Sequence, residues 1–344
     1  MRRFCLVLLL LLDASATFCC TSVIVGADAS ANGRPLLWKQ RDTPARFNYV
    51  DNFAAREGCF AFTGLVNATD TLRNEVWCGT NAVGFSVMNT VAYGLSPIID
   101  ENRPWEGIVM KRALEVCVTV DDFEAYISSL PQPNGLETNF GVSDADGDAA
   151  YFEVHDLGYV RFDVPRDGYL IRTNYAMTGR EGEGKGYDRY ELVEAKMKAH
   201  KGKFDACWIL RNLSREDIVA RPTSVASLVM DGQMLWCVAG YSRAAYAIPV
   251  EALGEIPSPL RYPDGLGCEA NLLADTLKTI TRDTPREAKI DRMVRQYERK
   301  EFRAYRNYAR HSAKSVDDSA LWQRYEAGVA ARFEAFRRRC LKSI

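Results

Sequence analysis

Cys20 has the widest chemical reach of any residue in this chain. It follows a stretch in which Arg2 and Arg3 precede an apolar run over 6–12 and then small residues, the pattern of a secretory signal. A cut after Cys19 makes Cys20 the first residue of the mature chain, whereas a cut after Ala14-Ser15-Ala16 leaves Thr17-Phe18-Cys19 to be trimmed. An N-terminal cysteine carries its own base. Its α-amine has an ordinary pKa of about 7.7 to 8.0 and its thiol about 8.5, so the amine can take the thiol proton and return it to a leaving group. No histidine is then needed, and His155, His200 and His311 sit in no recognisable cysteine–histidine setting.

Such a nucleophile needs a group to hold its amine and donors for a developing oxyanion. The apolar, β-branched segment 20–25, the turn signal Asn32-Gly33 and the return strand 36–40 predict a hairpin. That hairpin brings Lys39, Arg41 and Asp42 back beside Cys20. Asp42 can hold the protonated amine, and Lys39 or Arg41 can stabilise a thiolate; a plain charge cluster at a strand end is the alternative. Asn89 and Asn174 each end an apolar strand, where a side-chain amide can donate to an oxyanion or simply cap a turn.

The remaining elements follow the same periodicities. Further strands are predicted over 59–66, 75–79, 85–89, 140–143, 149–154, 159–164, 168–173, 225–229, 235–239 and 245–250, with two short helices between 104 and 130 and another over 187–200. Strand runs separated by helix blocks indicate an α+β fold with mainly antiparallel sheets, two packed sheets with helices outside. A helical tail follows. Within it, 282–314 holds eleven Lys or Arg against five Asp or Glu, with Ile290, Met293, Val294 and Tyr297 at helical spacing; this reads as an amphipathic helix with a solvated basic face.

Composition narrows the partners. Hydrophobic residues are 47% and charged residues 26%, and the formal charge is −1, so no global field draws the chain to nucleic acid or an acidic membrane. No stretch after the signal is apolar enough for a membrane helix. Eight cysteines remain from Cys20 on, in no zinc spacing; export permits disulfides among them. Asp144-Ala145-Asp146-Gly147-Asp148 lacks the glycine and glutamate of a calcium loop, having Ala149 and His155 at those places, and reads as a hairpin turn. Asn67-Ala68-Thr69 and Asn212-Leu213-Ser214 are glycosylation acceptors only in a eukaryotic secretory pathway.

Cys20-Thr21-Ser22-Val23-Ile24-Val25, the segment from Gly33 to Asp42, the segment from Gly79 to Asn89, and Leu170-Ile171-Arg172-Thr173-Asn174 resemble, in order, the choloylglycine hydrolase and penicillin acyltransferase (peptidase C45-like) families. The likeness runs from Cys20 to about Val250. It implies the four-layer αββα sandwich of the N-terminal-nucleophile hydrolases: a signal over 1–19, a catalytic domain over 20–257 and a helical extension over 258–344. It further implies Cys20 as nucleophile and base, Asp42 orienting the amine, Asn89 and Asn174 in the oxyanion hole, and Arg221 as a late arginine of the sheet core. Lys39 and Arg41 are assigned to substrate. Bile salt hydrolases have an arginine three residues before the aspartate; Lys39 stands there here and points away from a bile acid.

The expected activity is hydrolysis of a small linear amide through a thioester on Cys20. Alternatives are transfer of the acyl group to an amine, or a non-catalytic secreted binding protein on the same scaffold. No metal or cofactor, no nucleic acid and no membrane contact after signal removal are expected, homo-oligomerisation is left open, and the location is periplasmic or extracellular. Intact mass and N-terminal sequencing of the exported protein test the premise. A start at Cys20 is expected; a stable start at Thr17 or Cys19 would remove the amine base and favour the non-catalytic alternative.

Overall fold

The computed structural model describes residues 20–95, 106–262, 266–312 and 319–344. The expected signal over 1–19 lies outside them. The hairpin read from the sequence forms: β1 (Thr21–Val25) pairs antiparallel with β2 (Leu36–Asp42), Thr21 opposite Gln40 and Val25 opposite Leu36. Every residue of both strands is buried. That explains their lack of strict apolar–polar alternation, since a sheet covered on both faces needs none.

Two antiparallel sheets carry the fold. The first has six strands in the order β10 (Tyr169–Arg172), β1, β2, β11 (Ser224–Met230), β12 (Met234–Ala239), β13 (Ile248–Glu251). The second runs in chain order through β3 (Asn48–Phe53), β4 (Phe62–Asn67), β5 (Cys78–Asn81), β6 (Ser86–Val91), β7 (Thr138–Ser143), β8 (Ala149–His155) and β9 (Gly158–Asp163).

Strand alternation sorts the second sheet's side chains between two cores. Val87, Phe140, Val142, Ala150 and Phe152 pack with α1 (Glu106–Val116) and α2 (Val120–Ser128), while Met88 and Tyr151 join the core shared with the first sheet. Gly141 lets the sheets close. A Cβ there would lie 3.1 Å from Ile24 of β1 and 2.9 Å from Tyr151. Tyr151 then donates across the interface to the Ser22 hydroxyl at 2.9 Å. On the far side α3 (Tyr187–Ala199), α4 (Ala206–Asn212) and α5 (Glu269–Thr281) cover the first sheet. The layers are therefore helix, sheet, sheet, helix, the αββα order expected from the sequence.

Several expected boundaries move. The strand expected over 59–66 begins at Phe62, because Cys59 instead closes a tight bridge with Arg56. The strand expected over 75–79 begins at Cys78; Val76 donates its N–H to the Gly107 carbonyl of α1 and lies beneath that helix. β3 escaped sequence reading because Asn48, Asp51 and Asn52 interrupt its apolar pattern, which an edge strand tolerates. α4 has only 7 residues, too few for a helical period to register, although its Asp205 N-cap accepts from Trp208 N–H at 2.6 Å. The helix start at Thr119 forms as read, with a capping box between Thr119 and Asp122.

The tail forms α5, α6 (Pro285–Ser312) and α7 (Ser319–Leu341). Ile290, Met293, Val294 and Tyr297 are buried, as their spacing predicts. Phe302 stacks on Trp236 of β12 with centroids 4.0 Å apart. Two carboxylates of α6 are buried as well. Glu298 accepts from Arg215 at 2.5 and 3.1 Å, and Glu301 accepts from Arg332 and Tyr325 of α7. Glu298→Ala strands the fully buried Arg215 cation and should cost about 3–5 kcal/mol, read as a lower urea midpoint. A loss under about 1 kcal/mol would show that the pair does not anchor the tail.

Candidate active site

Cys20 precedes β1, so the β1–β2 ladder sets it beside Arg41 and Asp42 at the end of the hairpin. It is 6% exposed, and its thiol points at the Asp42 backbone carbonyl, 3.8 Å away. The Asp42 carboxylate accepts from Arg221 Nε and Nη2 at 3.1 and 3.0 Å on one oxygen and from the Ser224 hydroxyl at 2.5 Å on the other. β11 arranges this, pairing Ser224 with Asp42 just before an irregularity in the ladder. Burial pushes the Asp42 carboxyl up to about 6, against the opposing pull of Arg221 and Ser224.

Lys39 and Arg41 alternate with Gln40 and so share one face of β2. Lys39, 1% exposed, donates to the Trp77 carbonyl at 2.7 Å and to Asn89 Oδ1 at 2.6 Å. Burial lowers its ammonium to about 8. Arg41 donates to Asn48 Oδ1 and lies 4.6 Å over the Trp77 ring; burial lowers its pKa to about 10. Cys78, also buried here, is pushed up to about 11. Their direct partners are neutral protein oxygens, and the nearby Cys20 thiol acts electrostatically on both.

The two asparagines sit on opposite walls. Asn89 on β6 donates to the Thr138 hydroxyl at 3.3 Å. Asn174, just after β10, donates to the Val91 carbonyl at 2.9 Å and accepts from Arg189 Nη2 at 2.9 Å. Arg189 also donates to the Cys20 carbonyl at 2.6 Å and the Thr21 hydroxyl at 2.5 Å.

All seven residues singled out in the sequence thus lie on or beside strands that converge at Cys20. Sequence reading missed Arg189, Ser224 and Trp77. Ser224 opens the apolar run of β11 and was readable as a strand start; Arg189 is one charge on a polar helix, with no pattern to mark it. His200 packs on Phe204 and Trp208. Asp144 accepts from the N–H groups of Val120, Asp146 and Asp148, forming the β7–β8 turn. Among the described residues no group of three or more His, Cys, Asp or Glu is placed to hold a metal, and the eight described cysteines are free thiols.

No family model matches the chain, and no curated protein does. Solved structures resemble it at low identity. The Caenorhabditis elegans N-acylethanolamine-hydrolyzing acid amidase ortholog is 18% identical over 62% of this chain and 92% of its own, with a TM-score of 0.48. A variant of the conjugated bile acid hydrolase of Clostridium perfringens is 13% identical over 67% and 92%, at 0.46. Penicillin V acylase from Agrobacterium tumefaciens is 11% identical over 67% and 86%, at 0.44.

The raised Asp42 carboxyl predicts an acid limit. Asp42 is ionised above about 6 and neutral below, so a rate that needs the carboxylate should fall as pH drops through that value. Ser224→Ala removes a bond that favours the charged form, and the limb should move to higher pH. A pH–rate profile whose acid limb is unmoved in Ser224→Ala would detach Asp42 from the reaction.

Proposed function

We propose that this chain is an exported amide hydrolase of the N-terminal-nucleophile kind, working through Cys20 on a small linear amide. One observation carries the reading. Cys20 is buried where the two sheets meet, its thiol at the Asp42 carbonyl, with Arg221 and Ser224 on the Asp42 carboxylate, Arg189 joining Cys20 to Asn174, and Lys39, whose charge acts on Cys20, bonded to Asn89. The sequence resemblance to choloylglycine hydrolases and penicillin acyltransferases supports the same assignment. Removal of 1–19 is part of the proposal, because only a free amine at Cys20 supplies the base.

In this reading the amine accepts the thiol proton, and the thiolate attacks the substrate carbonyl carbon. N–H groups of Asn89 and Asn174 receive the negative charge that develops on oxygen. Collapse breaks the C–N bond, the ammonium returns its proton to the departing amine, and a thioester remains on Cys20. Water, deprotonated by the same amine, then attacks the thioester; the acid leaves and the thiol is restored.

Asp42 serves by holding the amine in reach of sulfur, and Arg221 and Ser224 by fixing the carboxylate. A mature chain beginning at residue 20 with Cys20→Ala, folded as the parent, should lose hydrolysis on the order of 10⁴-fold or more. The parent should show an acyl adduct on Cys20 by mass spectrometry. Full activity in that variant would overturn the proposal.

A further inference from the structure

We propose that Lys39 and Arg189 are positioning residues that fix which end of the Asn89 and Asn174 side-chain amides faces the reacting carbonyl. The inference rests on the hydrolase reading above and adds two residues to it. An asparagine side chain has two ends of nearly equal size, one an acceptor and one a double donor. Flipped, it would set a carbonyl dipole against a developing oxyanion, turning stabilisation into repulsion. A site that uses asparagine amides therefore needs something to forbid the flip.

Buried cations do this here at both walls. Ammonium and guanidinium groups only donate, so whichever amide atom they touch must be the oxygen. Lys39 Nζ lies 2.6 Å from Asn89 Oδ1, and Arg189 Nη2 lies 2.9 Å from Asn174 Oδ1. The opposite ends agree. Asn174 Nδ2 meets the Val91 carbonyl, which can only accept. Asn89 Nδ2 meets the Thr138 hydroxyl, whose own proton goes to the Thr90 carbonyl at 3.0 Å, so its oxygen accepts. Each of these bonds uses one of the two hydrogens on the amide nitrogen. A positive charge against the oxygen also polarises the amide and strengthens its N–H as a donor.

Arg189 does more than orient. The same guanidinium holds the Cys20 carbonyl and the Thr21 hydroxyl, so the nucleophile's residue and Asn174 share one rigid planar support. The fold makes room for it. Gly186 caps α3 at φ +85°, and a Cβ there would fall 2.2 Å from Arg189 Nη2. On the other wall Lys39 is acted on by Cys20 just before β1, Arg41 on its own strand, Cys78 of β5 and Glu106 of α1. Its ammonium loses its proton near pH 8, within reach of a rate profile.

The test uses the full processed protein with an amide that acylates Cys20, and the variants Lys39→Met, Lys39→Arg, Arg189→Met and Arg189→Lys. Lys39→Met and Arg189→Met should each lower kcat by about 10²–10³-fold, the loss of one oxyanion donor, with KM nearly unchanged. Lys39→Arg should keep most of the rate and carry the alkaline limb of the profile upward from about pH 8. Arg189→Lys should recover part of what Arg189→Met loses.

Side-chain amide resonances give a readout free of turnover. The Asn89 N–H shift should titrate near pH 8 in the parent and stay flat in Lys39→Arg. Unchanged kcat in both methionine variants while acyl-Cys20 still forms, or an Asn89 resonance that ignores pH, would overturn the inference. Absence of any acyl-Cys20 in the parent would instead overturn the hydrolase reading, while the amide titration would still decide the orientation of Asn89.

Discussion

Taking Lys39, Arg41, Asp42 and Arg189 out of water sets the terms for the rest of this structure. Desolvating a charge costs several kcal/mol unless bonds inside the protein replace the lost hydration. The two sheets supply those bonds from both sides. The first sheet carries the charges on β2, and the second offers the Trp77 carbonyl, Asn48 and Asn89 to receive them. β11 brings Ser224 and Arg221 to Asp42, and α3 brings Arg189 to the start of β1. Slipping β2 by one residue in its ladder would turn these side chains to the other face, so the register of β1, β2 and β11 is fixed by charge as well as by apolar packing.

The close approach of the sheets is the other half of that constraint. Lys39 can reach Asn89 only because the layers interdigitate, as Ile24 does over Gly141. Tyr151 stands within the interface and still satisfies its hydroxyl on Ser22. The same burial thus also fixes the distance between the hairpin that carries Cys20 and Asn89 on the facing sheet. Stability and site geometry are here properties of one interface.

Much of this could be read from residue order. The hairpin 20–42 follows from a β-branched run, an Asn-Gly turn and a second apolar run, and it delivers Asp42 to Cys20 without further information. Asn89 and Asn174 stand out because apolar runs break at them, although Asn89 lies inside β6 and Asn174 two residues beyond β10. What stayed hidden depends on long-range pairing. Ser224 is 182 positions from Asp42 and Arg189 is 169 from Cys20, and no local periodicity encodes which helix charge turns inward. The polar edge strand β3 was invisible for a related reason: Asn48 serves Arg41 by its side chain, and that service spoils the apolar pattern by which strands are recognised. Lys39 and Arg41 were legible as charges near Cys20, but their partners were not, because those belong to the other sheet.

Buried charges elsewhere in the molecule give these positions their meaning. On the tail, Arg215 meets Glu298, and Arg332 meets Glu301. Beneath β10, Arg172 faces Glu153, which also receives the N–H groups of Met177 and Thr178. In each case a cation is matched to a buried carboxylate, the arrangement that lowers the cost of desolvation and ties two elements together. Around Cys20 the pattern changes. Lys39 and Arg41 bond directly to amide and carbonyl oxygens, while Glu106 acts electrostatically on Lys39, and Glu75 and Asp42 on Arg41. A fold that required only anchoring there would gain more from a carboxylate or from apolar side chains of equal volume. A cation whose direct partners are neutral keeps more of its field for negative charge that develops nearby. Cations bonded directly to carboxylates in the scaffold thus contrast with Lys39 and Arg41, bonded directly to neutral oxygens beside Cys20, and this contrast supports the proposal made for Cys20.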